Sequence, residues 1–467
     1  MSLGEEQFAF RTVRELGKML RNGETTPTEL AELAIARLER VGSQLNAVVT
    51  ITRDLAMREA RRAEEELSAG HDRGLLHGIP YGAKDLLSTI GIPTTWGAAP
   101  LKDQVLNADA AVIERLRNVG AVLVAKLAMV ELAGGMGYTQ PNAAFTGPGV
   151  NPWNTEAWSG GSSSGSGSAV GSGCVPFAIG SETMGSIMSP AGFCGITGLR
   201  PTYGRVSRRG AMALSWTLDK LGPLARTADD CGLVLEGIAG PDPLERSTLE
   251  SPFQYRPDRD RAAGFRLGVL REGVADAQPE VRDNFERSLD ELSRIATLEE
   301  ISLPEFPYGQ TAELIIRSEG TAALEPLISS GKVKELTAPE DRTGGYAGYT
   351  IPAVDYLRAM RIRQHIVSEL ESLFARYDAI VHPSFGMVAC PLDMTFEEYM
   401  GERRWTSLSA AGNLAGLPGI TAPNGFGERG LPTGIQFIGR AGEDGRLISV
   451  ARAYQHQTTW HQRHPEW

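Results

Sequence analysis

Apolar residues keep helical spacing through much of the first seventy positions and then give way to short unbroken runs. Phe8–Arg21 reads as one amphipathic helix. A second begins at Thr26, an N-cap residue, with Pro27 in the first helical position and Glu29 completing a capping box. Leu30, Leu33, Ala34 and Leu38 carry its stripe. Arg53–Ala69 is a charged helix whose REARRAEEEL run forms a solvated face. Strands are predicted at Asn46–Thr50, Ala121–Leu127, Cys174–Ile179, Phe265–Leu270, Thr297–Leu303 and Asp378–Ser384. Helices are predicted at Ala108–Val119, Ala228–Ile238, Pro279–Ile295 and Glu443–Gln455, and they dominate Thr311–Ser368 except for a break at Asp341–Pro352. Asn413–Pro423 and Leu431–Arg440 read as strand-and-turn segments, Gly240–Asp260 as a surface excursion, and Leu392–Trp405 as a polar, aromatic loop. Helix alternating with apolar strand predicts an α/β fold. No repeat, heptad or linker divides it, so one large domain is expected. Within it, 1–70 is a helical wrap, 78–240 a core, 241–440 a variable lip with the remaining sheet, and 441–467 a closing helix and tail.

Composition narrows this picture. With 467 residues the chain can bury a large core, and 42% hydrophobic with 22% charged residues is ordinary for a globular protein. A net charge of −11 argues against a protein that coats nucleic acid, which needs a basic surface. Cys174, Cys194, Cys231 and Cys390 are scattered, as expected of buried thiols in a reducing compartment. No signal sequence opens the chain, and no apolar run approaches the roughly 18 residues of a membrane span. A soluble, cytoplasmic protein is expected, with no membrane or nucleic-acid partner; a homodimer is compatible with the sequence.

The stretch from Ser159 to Pro190 stands apart. It holds ten serines and eight glycines in 32 residues, yet an apolar run, Cys174–Ile179, sits in its middle. A flexible linker would stay polar. The Gly/Ser runs are therefore expected to be two loops pinned at the ends of a buried strand, dense in N–H groups and hydroxyls, and so a candidate oxyanion cradle. Histidines offer little: only His461 and His464 approach a ligand spacing, in the tail, and no metal site is expected. GSSSG (Gly161–Gly165) has the letters of a nucleophile elbow but lies inside the Gly/Ser run, without the strand-to-helix context that motif needs. The other route to an activated serine is a lysine made basic by burial. Lys84, among small residues in GIPYGAKDLL, is the candidate; an ion pair with Asp85 is the plain alternative for it.

GIPYGAKD, GGSSSGSGSAV and GSETMGSIMSPAGFCGITGLRPTYGRVSR, in this order, resemble the amidase signature family. LNAVVT, NLAGLPGITAP and LPTGIQFIG extend the resemblance over nearly the whole chain. The family implies one α/β domain around a mixed β-sheet core surrounded by helices, with a Ser–cis-Ser–Lys triad and no cofactor. By motif Lys84 is the base, Ser162 the bridging serine and Ser186 the nucleophile, the two serines 24 residues apart as in the family. The N–H groups of Thr183, Met184, Gly185 and Ser186 would hold the oxyanion. Gly135, Met136 and Tyr138 are the substrate-binding candidates, and Trp96, Tyr138, the stretch around Tyr346 and Leu392–Trp405 the expected pocket walls. Two positions depart from the family pattern: Met184 replaces the usual glycine and Met188 the usual arginine, which points to an apolar site. The implied function is hydrolysis of a small amide, with aryl amides, carbamates and esters as further substrates. The alternative is the glutaminase component of a tRNA-dependent amidotransferase, which the chain resembles around GLRPTYGRVSRRG; such a site needs a fixed cation and anion for the amino-acid head group, and Arg342 is a candidate cation. A third reading, a non-catalytic Gly-rich phosphate-binding protein, is disfavoured because the chain has neither a Walker lysine motif nor a GxGxxG after a strand.

Overall fold

A computed structural model describes residues 4–257, 263–403 and 407–467. Its centre is one mixed sheet of eleven strands among the described residues. In chain order these are β1 (Val48–Ile51), β2 (Pro80–Lys84), β3 (Val122–Leu127), β4 (Phe177–Glu182), β5 (Thr197–Arg200), β6 (Lys220–Ala225), β7 (Phe265–Leu270), β8 (Ala296–Ile301), β9 (Ala379–Pro383), β10 (Gly419–Phe426) and β11 (Pro432–Ile438). In space the order is β1-β3-β2-β4-β6-β5-β10-β11-β9-β7-β8. β2 lies parallel to both β3 and β4, and β7 parallel to β8 and β9; the other neighbours are antiparallel. One continuous sheet joins the expected core to the expected lip, so the chain is a single domain. β2, β3 and β4 are buried throughout, as parallel strands covered on both faces must be. All four cysteines are free and buried.

Several elements differ from the sequence reading. Phe8–Arg21 is two helices, Glu5–Phe8 and Val13–Arg21, the second capped by Thr12. The chain reverses between them at Phe10, with φ of 64°. Its ring stacks on His464 at 4.1 Å, and the guanidiniums of Arg37 and Arg226 lie over it. A tertiary contact thus overrides a helical stripe. Asp341–Pro352, expected as a break, contains the helix Asp341–Ala347. Leu392–Trp405 contains the helix Phe396–Met400, started by a Thr395/Glu398 capping box; Trp405 lies outside the described residues, as does the end of Gly240–Asp260. NLAG closes a helix, Leu408–Leu414, and the strand begins only at Gly419.

The largest correction concerns the Gly/Ser run, which is not a loop. Ser164–Gly171 is a helix with every residue buried. Its glycines are there for thinness. A Cβ on Gly165 would stand 2.4 Å from the Ala47 carbonyl oxygen, and one on Gly167 2.8 Å from the Pro190 side chain. The strand of this stretch runs Phe177–Glu182, three residues later than expected, and so carries Ser181 and Glu182 on its end.

Candidate active site

Lys84 ends β2, between β3 and β4, with its side chain fully buried. Its Nζ donates to Ser162 Oγ at 2.7 Å and Ser181 Oγ at 2.9 Å. Burial pushes the amine down from 10.5 to about 7, against the opposing pull of Asp219 and Glu182. The ion pair with Asp85 does not form. Asp85 instead lies 2.9 Å from Lys126 Nζ and accepts from the Thr95 N–H and hydroxyl.

Ser162 follows a cis peptide bond from Gly161 and leads directly into the buried Ser164–Gly171 helix. Its carbonyl accepts from Val130 N, and the next residue, Ser163, donates its N–H to the Ser186 carbonyl at 3.3 Å. The Ser163 hydroxyl also exchanges hydrogen bonds with the backbone of Ser181. These bonds hold the Ser162 segment, the end of β4 and the Ser186 turn against one another.

The Thr183–Ser186 turn follows β4. Gly185 has φ of 88° with open space where a Cβ would stand; the position is glycine for its conformation, not for crowding. Met184 is 42% exposed, its side chain turned to solvent. Among the described residues, no protein group accepts from the N–H of Met184, Gly185 or Ser186. The next two N–H groups, of Ile187 and Met188, both go to Glu182 Oε2, at 2.9 and 3.0 Å. Glu182 Oε1 takes Arg200 at 2.8 Å and Asn413 at 3.1 Å, and Lys220 Nζ donates to Asn413 at 2.7 Å. Burial works to raise the Glu182 carboxyl, but Arg200 and Lys220 outweigh it and hold it at about 2. Arg200 of β5 is thus the direct ion-pair partner of Glu182, while Lys220 of β6, whose amine burial and Arg200 push well below its ordinary value, reaches Asn413 instead. Met188 itself is buried, with its sulfur 3.5 Å from the Thr421 hydroxyl.

The three substrate-binding candidates part company. Gly135 packs on Leu214, and buried Met136 is covered by Gly344 and Gly345 of the Asp341–Ala347 helix. Tyr138 stands edge-on to Trp158 and Phe396, at ring-centroid distances of 6.3 and 5.5 Å. Trp158 lies against Gly161, 2.7 Å from where a Cβ there would sit, and its indole N–H is buried without a partner. Sequence reasoning missed Ser181, Glu182, Asp219 and Trp158. Ser181 and Glu182 are visible in GSETMGS, but only the observed strand end turns them toward Lys84 and the turn.

A cavity of about 340 Å³ adjoins this apparatus, with Ser181, Thr183 and Asp219 on its wall. Asp219 accepts from the Thr183 hydroxyl at 2.6 Å and from the Leu214 and Ser215 N–H groups. Burial raises its carboxyl.

The family model for amidases matches residues 29–448. The chain belongs to the amidase family. This amidase is 36% identical to a glutamyl-tRNA(Gln) amidotransferase subunit from Thermosynechococcus vestitus, over 97% of this chain and 99% of that one. Its fold matches the peptide amidase of Stenotrophomonas maltophilia with a TM-score of 0.83 at 30% identity, over 96% of each chain. It also matches, with a TM-score of 0.89 at 30% identity over 96% and 98% of the two chains, a protein from a vestigial complex that reveals the origins of an s-triazine catabolic enzyme. The amidase is an enzyme of carbon–nitrogen bond hydrolysis. No helix among its described residues is long and apolar enough to cross a membrane.

Proposed function

We propose that this amidase cleaves a carboxamide through an acyl-enzyme on Ser186. The observation that carries the reading is the Lys84 amine, buried, bonded to Ser162 and lowered to about 7. Neutral Lys84 takes a proton from the Ser162 hydroxyl as Ser162 takes one from Ser186. Ser186 Oγ bonds to the carbonyl carbon, and the oxygen gains charge facing the N–H groups of the Thr183–Ser186 turn. Losing one such donor elsewhere costs about 10²–10³ in rate. The C–N bond then breaks, the Lys84 ammonium returns its proton through Ser162 to the departing nitrogen, and water cleaves the acyl ester. Treatment with a fluorophosphonate and mass spectrometry should place the label on Ser186; labelling of another serine would refute the assignment.

For the acyl group the findings pull apart. The name shared by the curated relatives favours the glutaminase component of an amidotransferase over a free-standing amidase. That name ties those proteins to a tRNA-dependent reaction, so the net charge of −11 no longer supports exclusion of nucleic acid from this chain's surroundings. Arg342 adds no support to the glutaminase reading: its Nε and Nη2 donate to the Leu336 and Thr337 carbonyls. The free-standing reading, hydrolysis of a small amide with aryl amides, carbamates and esters as further substrates, stands beside it. Turnover of an anilide but not of glutamine by the isolated chain supports the free-standing reading, and the reverse supports the glutaminase.

A further inference from the structure

We propose that the 340 Å³ cavity beside β4 receives the leaving group of the substrate, and that it selects an uncharged apolar amine or alcohol such as an arylamine. This rests on the Ser186 acyl-enzyme reading. Chemistry sets the side. The departing nitrogen must collect its proton from Lys84 through Ser162, so whatever is bonded to that nitrogen lies on the lysine side of the scissile bond. The cavity is on that side: its wall includes Ser181, whose hydroxyl touches Lys84 Nζ, and Thr183, the first residue of the oxyanion turn.

The lining sets the class. Leu86, Ala133, Met212, Ala213 and Leu221 make it largely apolar, and Trp216 and Leu244 stand exposed at 49% and 78%. Its charged groups are spent on one another. Arg208 is held by Glu245 and Ser247, at 2.7 Å each, and by the Trp216 carbonyl. Arg209 pairs with Glu114 and Asp242. Asp219 is filled by Thr183 and two backbone N–H groups. A charged leaving group would find no free partner there, and its desolvation would go uncompensated. The volume suits a substituted ring, since a dry cavity of about 150 Å³ already admits benzene.

The test uses two substrate series on the full chain. In one, a butyryl group is joined to ammonia, butylamine or 4-nitroaniline; in the other, 4-nitroaniline is joined to acetyl, butyryl or benzoyl. Ala213→Trp should lower kcat/KM for butyryl-4-nitroanilide about tenfold or more, because removing room for even one methylene is worth about 10–200-fold. Butyramide should stay within about twofold, and breakdown of the shared butyryl-enzyme should not change. Trp216→Ala, at a half-exposed position, should raise KM for the anilide several-fold and leave butyramide alone; it decides the matter if Ala213→Trp does not fold. Losses that track the acyl group, or that fall equally on butyramide and the anilide, overturn the proposal while the Ser186 reading stands. No turnover and no label on Ser186 in the unaltered protein overturn both.

Discussion

Lys84 and Asp85 are adjacent in sequence and serve separate networks. The lysine amine reaches Ser162 and Ser181, and the carboxylate faces Lys126 and Thr95. Lys84 is the last residue of β2 and Asp85 opens the turn that follows, and the two side chains take different partners. Lys84 is left without an acid to fix its proton, which is what a base needs. Lys84→Ala and Ser186→Ala should each abolish turnover, the second by about 10⁶ if a nucleophile's usual weight holds. Ser162→Ala should cost about 10²–10⁴, the range for a lost proton relay. Circular dichroism should show all three folded. Wild-type rates from Ser186→Ala would refute the mechanism.

The same lysine sets the acidic limb of the pH profile. As the proposed base it should be inactive when protonated, so kcat/KM should rise through about pH 7 and level off above it. Measuring kcat/KM from pH 5 to 9 with an uncharged amide checks this. A flat or falling profile across that window would contradict it.

A carboxyl pair places a second titration beside the Tyr138 loop. Asp341 is buried, with neither oxygen bonded to a donor, next to Glu131. Glu131 accepts from Thr337 N and Ala338 N, while Glu340 accepts from Thr139. Burial and then Glu131 push Asp341 from 3.8 up to about 8. The native state therefore holds a proton that the unfolded chain releases near pH 4. Stability from this group is full below about pH 4 and is lost as pH rises through about 8. Asp341→Asn keeps a neutral group there. It should raise Tm at pH 8 relative to the unaltered protein and make little difference near pH 4. Equal shifts at both pH values would show that the pair does not titrate in this range.

How far the sequence reaches can be read from particular residues. Thr26, Pro27 and Glu29 form the expected cap because capping depends only on near neighbours. Ala228–Ile238 and Phe265–Leu270 agree with the structure to the residue, since burial and periodicity coincide there. Phe10 breaks a helix for a contact with His464, far along the chain, which no local pattern encodes. The Gly/Ser run reads as loops because glycine serves both bending and close packing, and only the neighbouring Ala47 and Pro190 show which. Lys84, Ser162 and Ser186 are legible as motifs. Glu182 is not, because its role comes from Arg200, Lys220 and Asn413 on other strands and a distant helix.

Glu182 fastens the turn that carries Ser186 from below, through the N–H groups of the two residues after it. Its partners are the Ile187 and Met188 N–H groups, Arg200 and Asn413, so its proposed role is to position the turn. Its carboxyl lies at about 2, below the ordinary value of 4.5, so its stabilisation is full above about pH 4.5 and is lost as pH falls toward 2. Glu182→Gln leaves the Arg200 guanidinium buried without its counter-charge, a defect that elsewhere costs about 3–5 kcal/mol. Expected are a lower Tm at pH 7, a Tm difference that narrows below pH 4, and a fall in kcat larger than any rise in KM. Unchanged kcat would show that the turn holds its shape without this carboxylate.

Met188 tests the same network from the other side. Its side chain is buried in the apolar cluster that also holds Leu218, Ile380 and Leu414, with the Thr421 hydroxyl on its sulfur. The Glu182 carboxylate already pairs with Arg200 and accepts from Asn413 and two backbone N–H groups, so an arginine at 188 would add a buried charge without a free partner. Restoring the residue the family usually has here should therefore harm this protein. Met188→Arg is expected to lose about 3 kcal/mol or more, as for a buried charge left unpaired, seen as a drop in the urea midpoint. Met188→Leu keeps volume and polarity and should cost under about 1.5 kcal/mol. The double variant Met188→Arg with Lys220→Met removes a neighbouring buried amine and should recover part of the loss, by an amount a double-mutant cycle would measure. An additive double variant would mean that the two positions do not share Glu182.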